Sequence, residues 1–556
     1  MKKLRLISLF CCFLLAGNLF CQPLNTPYDM ILTGETVLED IRFLSMETGI
    51  TFLSFTTPLA PAEINIFLNK IDESALSDPG IEAYYRVLDR LMPQTLLSWS
   101  ADWAAVHLNL NAALSGMTRF NTDISLYPRY PEVTQFLTAE LRLFFSNSVQ
   151  LYIEPSFGFK PTEYALNAFS INVPTSYYVS DLADMPLRAF ISLGGPFWNF
   201  HMGRDRIFWG TANTGSLSFS DNSPFMDFAR LSLFSSFLKY SATVVQLPLS
   251  ISDGLMDTDL NWQAFYPDNI YPSIQRYFYV HRLDFSLFDK VSISLMEGLM
   301  VGGSPIELRY LNPFIIFHNL FPWNDYEDWK PAAEKDRMGS WVGSLFSIEA
   351  NYNIFSNLAV YGQFVMNDYA TKDELEEGPQ PPDALGFLGG LQFSHTFKDW
   401  GSVFFMEFVY TDPYLYILSS PYASMIQMTR EDLKQYYFIG YPRDTIALTF
   451  GAYFFNEDTL NFSGKFSWIA SGQHNDREST NGLKWNWNLG DEVRSEFTPT
   501  GIIQNNLVLS FDINWKPLPY FYIGTNITGI LAFNNKHENG NNQFGGQFQL
   551  TAGFRL

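Results

Sequence analysis

QFGGQFQLTAGFRL, the stretch from Gln543 to Leu556 that ends the chain, alternates apolar and polar side chains with a period of two. The large apolar side chains share one parity, and they are Phe544, Phe548, Leu550, Phe554 and Leu556. Such alternation predicts a β-strand with one apolar and one polar face. Bacterial outer-membrane barrels use a final strand of this kind to close on their first strand. The chain end therefore predicts an all-β fold, a transmembrane antiparallel β-barrel in the bacterial outer membrane.

The other end of the chain predicts export. Residues 1–21 combine basic residues (Lys2, Lys3 and Arg5) with the apolar run Leu6 to Leu15, which is typical of a secretory signal peptide. The run is too short for a membrane-spanning helix, which needs about 20 apolar residues. Residues 543–556 resemble the C-terminal insertion signal of outer-membrane barrels, which implies the barrel-assembly machinery and outer-membrane lipid as partners.

Cysteine usage agrees with an exported barrel. Cys11, Cys12 and Cys21 all lie in the predicted signal peptide, and cleavage is expected between Gly17 and Gln22. Cys21 also raises the alternative of a lipoprotein, although Phe20 stands where a lipobox requires a small residue. No later apolar stretch is long enough for a transmembrane helix.

Composition narrows the function classes. Aromatic residues make up 17% of the 556 residues, with 52 Phe and 29 Tyr, yet the mean hydropathy is only −0.03. Apolar surface diluted by polar residues at alternate positions is typical of a lipid-facing sheet with aromatic girdles. A large soluble β-protein with an aromatic core is the alternative. The net charge of −22 argues against nucleic acid as a partner.

The chain divides into two parts after the signal peptide. Residues 22–95 carry apolar residues at helical spacing, as in Val37, Leu38, Ile41 and Leu44, and predict a small helical subdomain that is periplasmic or plugs the barrel mouth. Residues 96–556 carry the alternation of strands and predict the barrel. Short connections such as Asn456 to Asp458 contrast with long polar ones such as Gly472 to Thr498. Strands of roughly ten residues give about 16 to 18 strands.

Three consecutive blocks in the middle of the chain are similar to the capsule-assembly Wzi family. They are FHMGRDRIFWGTANTGSLSFSDNSPFMDFARLSL (200–233), YFYVHRLDFSLFDKVSISLMEGLMVGG (277–303) and IELRYLNPFIIFHN (306–319). The resemblance implies an outer-membrane barrel that retains surface or capsular polysaccharide without catalysis. The resemblance supports the prediction of the fold more strongly than the prediction of the ligand.

The same blocks supply the candidate polysaccharide-binding residues. Aromatic faces stack on sugar rings, while charged and amide groups bond hydroxyls and uronate carboxylates. The candidates are Arg204, Asp205, Arg206, Trp209, Arg230, His281, Arg282, Glu297, Glu307, Arg309 and Asn312. The structural alternative for each is a network of Arg and Glu that braces the wall of a large barrel.

No catalytic motif is evident, so no enzyme, cofactor or metal site is predicted. The seven histidines lack metal-binding spacing. His395, at an apolar-parity position, is the one candidate for an outer-wall lipase site. The main alternative function is a porin or solute-specific channel, because inward polar residues and the acidic charge suit neutral or cationic solutes. A plugged lumen favours polysaccharide binding, and an open lumen favours the channel.

Overall fold

The computed structural model describes residues 28–556 apart from several gaps. These gaps are residues 93–96, 102, 122–123, 125–133, 161–167, 173–187, 221–224, 249–274, 303–305, 313–314, 316, 318–341, 369–382, 418–424, 429–434, 438–439, 457–458 and 474–496. The predicted signal peptide, the turn at 457–458 and most of the connection from Gly472 to Thr498 thus lie outside the described residues.

Three α-helices precede the barrel: α1 (Val37–Thr48), α2 (Pro61–Leu68) and α3 (Asp78–Leu91). The N-terminus of α3 is capped by the Ser77 side chain, which accepts a hydrogen bond from the Gly80 N–H at 3.2 Å. The helix α1 is followed by Gly49, whose φ of 70° suits a residue without a Cβ atom. None of the helices in the described part of the chain is long and apolar enough to cross a membrane.

The strands follow one another along the chain with few interruptions. They are β1 (Thr56–Thr57), β2 (Leu97–Ala101), β3 (Ala104–Phe120), β4 (Thr134–Phe145), β5 (Val149–Glu154), β6 (Ser156–Lys160), β7 (Ala168–Asn172), β8 (Arg188–Gly194), β9 (Trp198–Asp205), β10 (Phe208–Trp209), β11 (Met226–Phe234), β12 (Leu238–Pro248), β13 (Gln275–Leu287), β14 (Val291–Gly302), β15 (Val342–Phe355), β16 (Leu358–Asp368), β17 (Ala384–Phe397), β18 (Trp400–Thr411), β19 (Ile426–Met428), β20 (Gln435–Tyr437), β21 (Thr445–Asn456), β22 (Leu460–Ser471), β23 (Gln504–Leu518), β24 (Phe521–Phe533) and β25 (Gln543–Arg555).

The strands close into one antiparallel barrel. The last strand, β25, pairs with β24 on one side and with β3 on the other, where Leu550 lies opposite Gly116. β5 with β6, and β7 with β8, each occupy a single position in the wall, while the short β2 pairs with β3 beyond the end of β25. The barrel therefore has 18 strands, which confirms the predicted fold class and strand number.

The alternation along the strands separates a lipid face from a polar interior. On β25 the side chains of Phe544, Phe548 and Leu550 are 41–57% exposed on the outside. Gln547, between them, is buried on the inside, as are Asn506 and Thr528 on neighbouring strands. The predicted apolar outer face and polar inner face of the C-terminal strands are confirmed.

The two ends of the barrel differ. Short turns, such as 235–237, 288–290 and 398–399, lie at the end where the chain finishes, and the long connections lie at the opposite end. The helices sit inside the short-turn end, where the Asn357 N–H donates to the Met46 carbonyl at 2.7 Å and the Thr51 N–H to the Asp289 carbonyl at 2.7 Å. In bacterial barrels short turns are periplasmic and long loops external.

The helices share one apolar core with the wall. Leu44 and Val87 of the helices are fully buried in a cluster that also contains Ala359, Val403 and Phe455 of the barrel. The rings of Phe43 and Phe455 meet edge to face at 5.0 Å. Because helices and wall bury one continuous apolar surface, the helices form a fixed part of the barrel interior.

Candidate functional site

The middle of the lumen is filled from both ends. β1, which comes from the helical region, pairs with β10, which comes from the connection at the opposite end, so that Thr56 lies opposite Trp209. Trp209 is fully buried, and its ring lies 4.7 Å from that of Phe219 and 5.7 Å from the Arg282 guanidinium. The predicted stacking platform is thus an interior contact of the described structure.

A second contact between segments lies nearer the long-connection end. The Gly440 N–H donates to the Ser216 carbonyl at 2.5 Å, where two connections pass each other. A Cβ atom on Gly440 would lie 2.4 Å from the Gly215 carbonyl carbon. Only glycine allows this close approach of two backbones.

Arg282 is the centre of a buried charge network on the inner wall. Its two terminal nitrogens bind both carboxylate oxygens of Glu349 at 2.8 Å, and its Nε binds Asp284 at 2.9 Å. Gln363 Nε2 donates to Glu349 at 2.7 Å, and Ser294 Oγ donates to Asp284 at 2.6 Å. A bidentate guanidinium–carboxylate pair fixes both position and orientation, so this group braces strands β13, β14, β15 and β16.

Arg230 and its neighbour Lys239 tie the wall to the helical region. Arg230 donates to the carbonyls of Thr56, at 3.0 Å, and Pro58. Lys239 donates to Thr56 Oγ1 at 2.7 Å and forms an ion pair with Glu63 of α2. Since these side chains are buried, the loss of one partner would leave an uncompensated charge.

Residues 204–206 point in different directions. Asp205 is fully buried inside the barrel and pairs with Arg188 at 2.8 Å. Arg204 has the outward parity and pairs with Asp227 at 3.6 Å near the long-connection end. Arg206 lies over the Phe225 ring at 4.7 Å.

His281 and Glu297 face the outside of the wall. They lie directly opposite each other on β13 and β14, with the parity opposite to that of Arg282. The residues that follow β14 fold back over them: the Phe317 N–H donates to Glu297 Oε2 at 2.9 Å, and His281 Nδ1 lies 3.2 Å from the Ile315 carbonyl oxygen.

Glu307, Arg309 and Asn312 belong to this folded-back segment. Arg309 Nε pairs with Glu307 at 2.7 Å, and its guanidinium lies 4.8 Å from the Tyr310 ring centroid. Asn312 is exposed. The structure therefore divides the candidates into an interior group of Asp205, Trp209, Arg230 and Arg282 and a group on the outer wall or rim. Arg206 belongs to neither group, because its carbonyl accepts a hydrogen bond from Thr33 Oγ1 of the N-terminal region at 2.9 Å.

Comparison with known proteins identifies the family. The profile of the family described as capsule assembly protein Wzi matches residues 133–422, which is more than half of the 556-residue chain. This chain belongs to the Wzi family. The three sequence blocks that resemble the family all lie within the matched range, and the prediction of the family is confirmed.

One solved structure supports the fold. Wzi of Escherichia coli, described as an outer-membrane protein involved in group 1 capsule assembly and as a carbohydrate-binding β-barrel, is 13% identical with a TM-score of 0.58. The match covers 94% of this chain and 98% of that one. The outer-membrane protein OprD of Pseudomonas aeruginosa is 10% identical with a TM-score of 0.39, covering 81% of this chain and 94% of that one. No curated protein sequence matches significantly.

Membership of the Wzi family places the barrel in the bacterial outer membrane, as predicted. Within this Wzi-family barrel, sequence analysis missed the partners of the arginines. Glu349 could have been found from the polar parity of its strand, because it alternates with outward residues. Glu407 carries the same signal, because it lies between the outward Met406 and Phe408 on β18. Glu63, on α2, carries no such signal. Glu407 accepts hydrogen bonds from the Tyr361 hydroxyl at 2.5 Å and the Thr214 N–H at 3.0 Å, which only the folded connection brings together.

Two further predictions concern an outer-wall lipase site and metal binding. His395 lies on the outer face, where its ring is 4.3 Å from that of Phe397 and 6.0 Å from that of Phe393. Such an aromatic setting is typical of a membrane-interface residue. The described residues of this Wzi-family barrel contain no group of three or more His, Cys, Asp or Glu side chains that could hold a metal ion.

Proposed function

We propose that this barrel binds and retains surface or capsular polysaccharide at the outside of the cell without catalysing a reaction. Its family, and its fold likeness to a barrel described as carbohydrate-binding, support this proposal. A protein that only holds its ligand needs exposed hydrogen-bonding groups on a rigid frame, and no activated nucleophile.

The filled lumen carries the proposal. In the described part of the chain, β1 and β10 meet in the barrel interior, and the buried pairs of Arg230, Arg282 and Lys239 hold the filling in place. A passage for solutes needs continuous polar space through the barrel. Interior contacts of this kind favour a binding surface over a channel.

The accessible candidates would make the contacts with the polysaccharide. Arg309, with a third of its side chain exposed, and the exposed Asn312 lie at the long-connection end, as do Arg204 and its partner Asp227. Guanidinium and amide groups donate to sugar hydroxyls and uronate carboxylates. The interior candidates would act indirectly by holding the frame.

Binding to polysaccharide extracted from the surface of the host tests the proposal. We expect saturable binding by the purified wild-type barrel and binding about tenfold weaker for Arg309→Ala, because one charge-assisted hydrogen bond is worth roughly 1.5–3 kcal/mol. Lys290→Ala is the matched control, since Lys290 is an exposed cation in a turn at the opposite end. An absence of binding by the wild type would overturn the proposal.

The other predicted partners are outer-membrane lipid and the barrel-assembly machinery. We infer that the exposed aromatic and aliphatic side chains of the wall contact outer-membrane lipid, and that residues 543–556 are recognised by the barrel-assembly machinery. Deletion of residues 543–556 should abolish recovery of the protein in the outer membrane. Recovery of the shortened chain at the wild-type level would contradict the second inference.

A further inference from the structure

The outer wall of β13 and β14 contains a polar pair where lipid-facing residues are expected. His281 and Glu297 have the outward parity, and the next outward residues along the strands are apolar, including Leu283 on β13 and Leu295 on β14. A carboxylate and an imidazole exposed to hydrocarbon are costly. The wall is therefore built to be covered at this point.

The cover is the described part of the connection after β14, namely residues 306–312, Ile315 and Phe317, called here the outer-wall segment. It is attached at separate points: Tyr279 Oη accepts from the Glu307 N–H at 3.0 Å, and Glu297 accepts from the Phe317 N–H at 2.9 Å. The ring of Phe317 stacks on His281 at 4.6 Å.

The outer-wall segment extends down the outside of the barrel. Tyr277, Tyr279 and Leu299 pack in one buried cluster with Tyr310 and Phe317. The covered positions on β13, from Tyr277 to His281, span about 13 Å at roughly 3.3 Å per residue. The segment thus lies against the wall, above the lipid-facing band that continues along the same strands.

The free surface of the segment is both apolar and polar. Leu308 is 79% exposed and Ile306 48% exposed. Between Leu308 and Tyr310 stands Arg309, paired with Glu307, and Asn312 ends the turn. Exposed aliphatic side chains beside a guanidinium and an amide match a ligand that has acyl chains next to a sugar head group.

We propose that the outer-wall segment binds the membrane-anchored end of the glycan, where the sugar chain joins its lipid. This inference rests on the proposed polysaccharide-binding function and specifies the ligand of that function. A lipid-linked glycan is the proposed ligand because the outer-wall segment adjoins the lipid-facing band of the wall. Acyl chains in the membrane would lie beside Leu308, while the first sugars would meet Arg309 and Asn312. A glycan without a lipid would gain nothing from the exposed aliphatic side chains.

The test compares two forms of one probe. Polysaccharide extracted from the host envelope with its lipid attached, and the same material after hydrolysis of the lipid, are titrated against the purified full-length barrel in detergent micelles. We expect the lipid-bearing form to bind about tenfold more tightly, an effect of roughly one buried aliphatic side chain. Leu308→Ser should remove this preference without changing the affinity for the lipid-free form.

Leu287→Ser is the matched control, because Leu287 is an outward, half-exposed leucine at the short-turn end of β13. The shift in electrophoretic mobility on heating shows whether each variant is folded. Equal affinity for the two forms would overturn this inference and leave the proposed function standing. Binding of neither form would overturn the proposed function as well. Equally strong competition by phospholipid micelles would show a general lipid contact and would also overturn the inference.

Discussion

Glu35, a single carboxylate before α1, connects the start of the described chain to α3. Its oxygens accept hydrogen bonds from Arg90, at 2.5 and 2.9 Å, and from the Leu32 N–H at 2.8 Å. Burial by itself raises the pKa of the Glu35 carboxyl, but the charge of Arg90 outweighs burial and lowers this pKa from 4.5 to about 2. The ionised carboxylate is therefore the form that stabilises the helices.

We expect the helical region to lose stability as the pH falls from 4.5 to 2. The contribution of Glu35 is fully present above the unfolded-state pKa of 4.5 and disappears as the pH falls through the folded-state value of about 2. The difference corresponds to about 3 kcal/mol. Limited proteolysis of residues 28–92 across this pH range measures the effect.

Glu35→Gln should flatten this part of the pH profile. Asp89→Asn, at an exposed position on α3, is the control and should leave the profile unchanged. If Glu35→Gln retained the wild-type pH profile, the assigned role of the Glu35–Arg90 pair would be wrong.

At the level of single elements, adjacent residues of β25 face two different environments, the lipid outside the barrel and the polar lumen inside it. Leu550 faces lipid near the middle of the strand, and Gln549 beside it faces the lumen. We expect Leu550→Arg to destabilise the barrel by roughly 2–4 kcal/mol, because a cation near the bilayer midplane is costly. Unfolding in guanidinium, followed by loss of the heat-dependent mobility shift, measures the difference.

Gln549→Arg is the matched control for Leu550→Arg. It introduces the same side chain one residue away, on the lumen side, and should cost much less. Equal destabilisation by the two variants would mean that β25 does not present Leu550 to lipid.

The strands were predictable because every second residue faces lipid, and the rule for these residues is that they are apolar. Phe544, Leu550 and Phe554 obey that rule in the sequence, and the structure places them on the outer face. The helices were predictable because their apolar spacing follows their own period. The ladder between β1 and β10 was not predictable, since two-residue strands carry no periodic signal and are paired across about 150 residues.

The candidate site was less predictable than the fold. His281 and Arg282 are adjacent polar residues, and either could face the lumen by composition alone. The structure turns Arg282 inward to Glu349 and leaves His281 outside, because residues after β14 return to cover it. Such long-range covering contacts leave no mark in the local pattern. Whether any of these residues contacts polysaccharide stays a prediction.

For the whole molecule, the filled lumen makes a prediction about transport. We expect the wild-type barrel to give no stable conductance in planar bilayers. Lys239→Glu should place two carboxylates, those of residues 239 and 63, in the buried contact between wall and α2 and should produce conducting events. Single-channel recording compares the variants after heat-dependent mobility has shown that each is folded.

Lys465→Glu is the control. It makes the same change of charge at an inward-facing residue of β22 that lies away from the helical region. It should remain silent in the recordings. Steady conductance by the wild type would favour the alternative of a porin or solute-specific channel.

The β1–β10 ladder has a consequence for the order in which the molecule is built. One of its strands precedes the first wall strand in the chain, and the other belongs to a connection from the opposite mouth. The finished wall surrounds both, so the ladder exists only when the helical region and that connection have both entered the lumen. Each mouth of the barrel is thereby joined to the other through the interior as well as through the wall. Separation of the two interior segments requires the loss of this ladder.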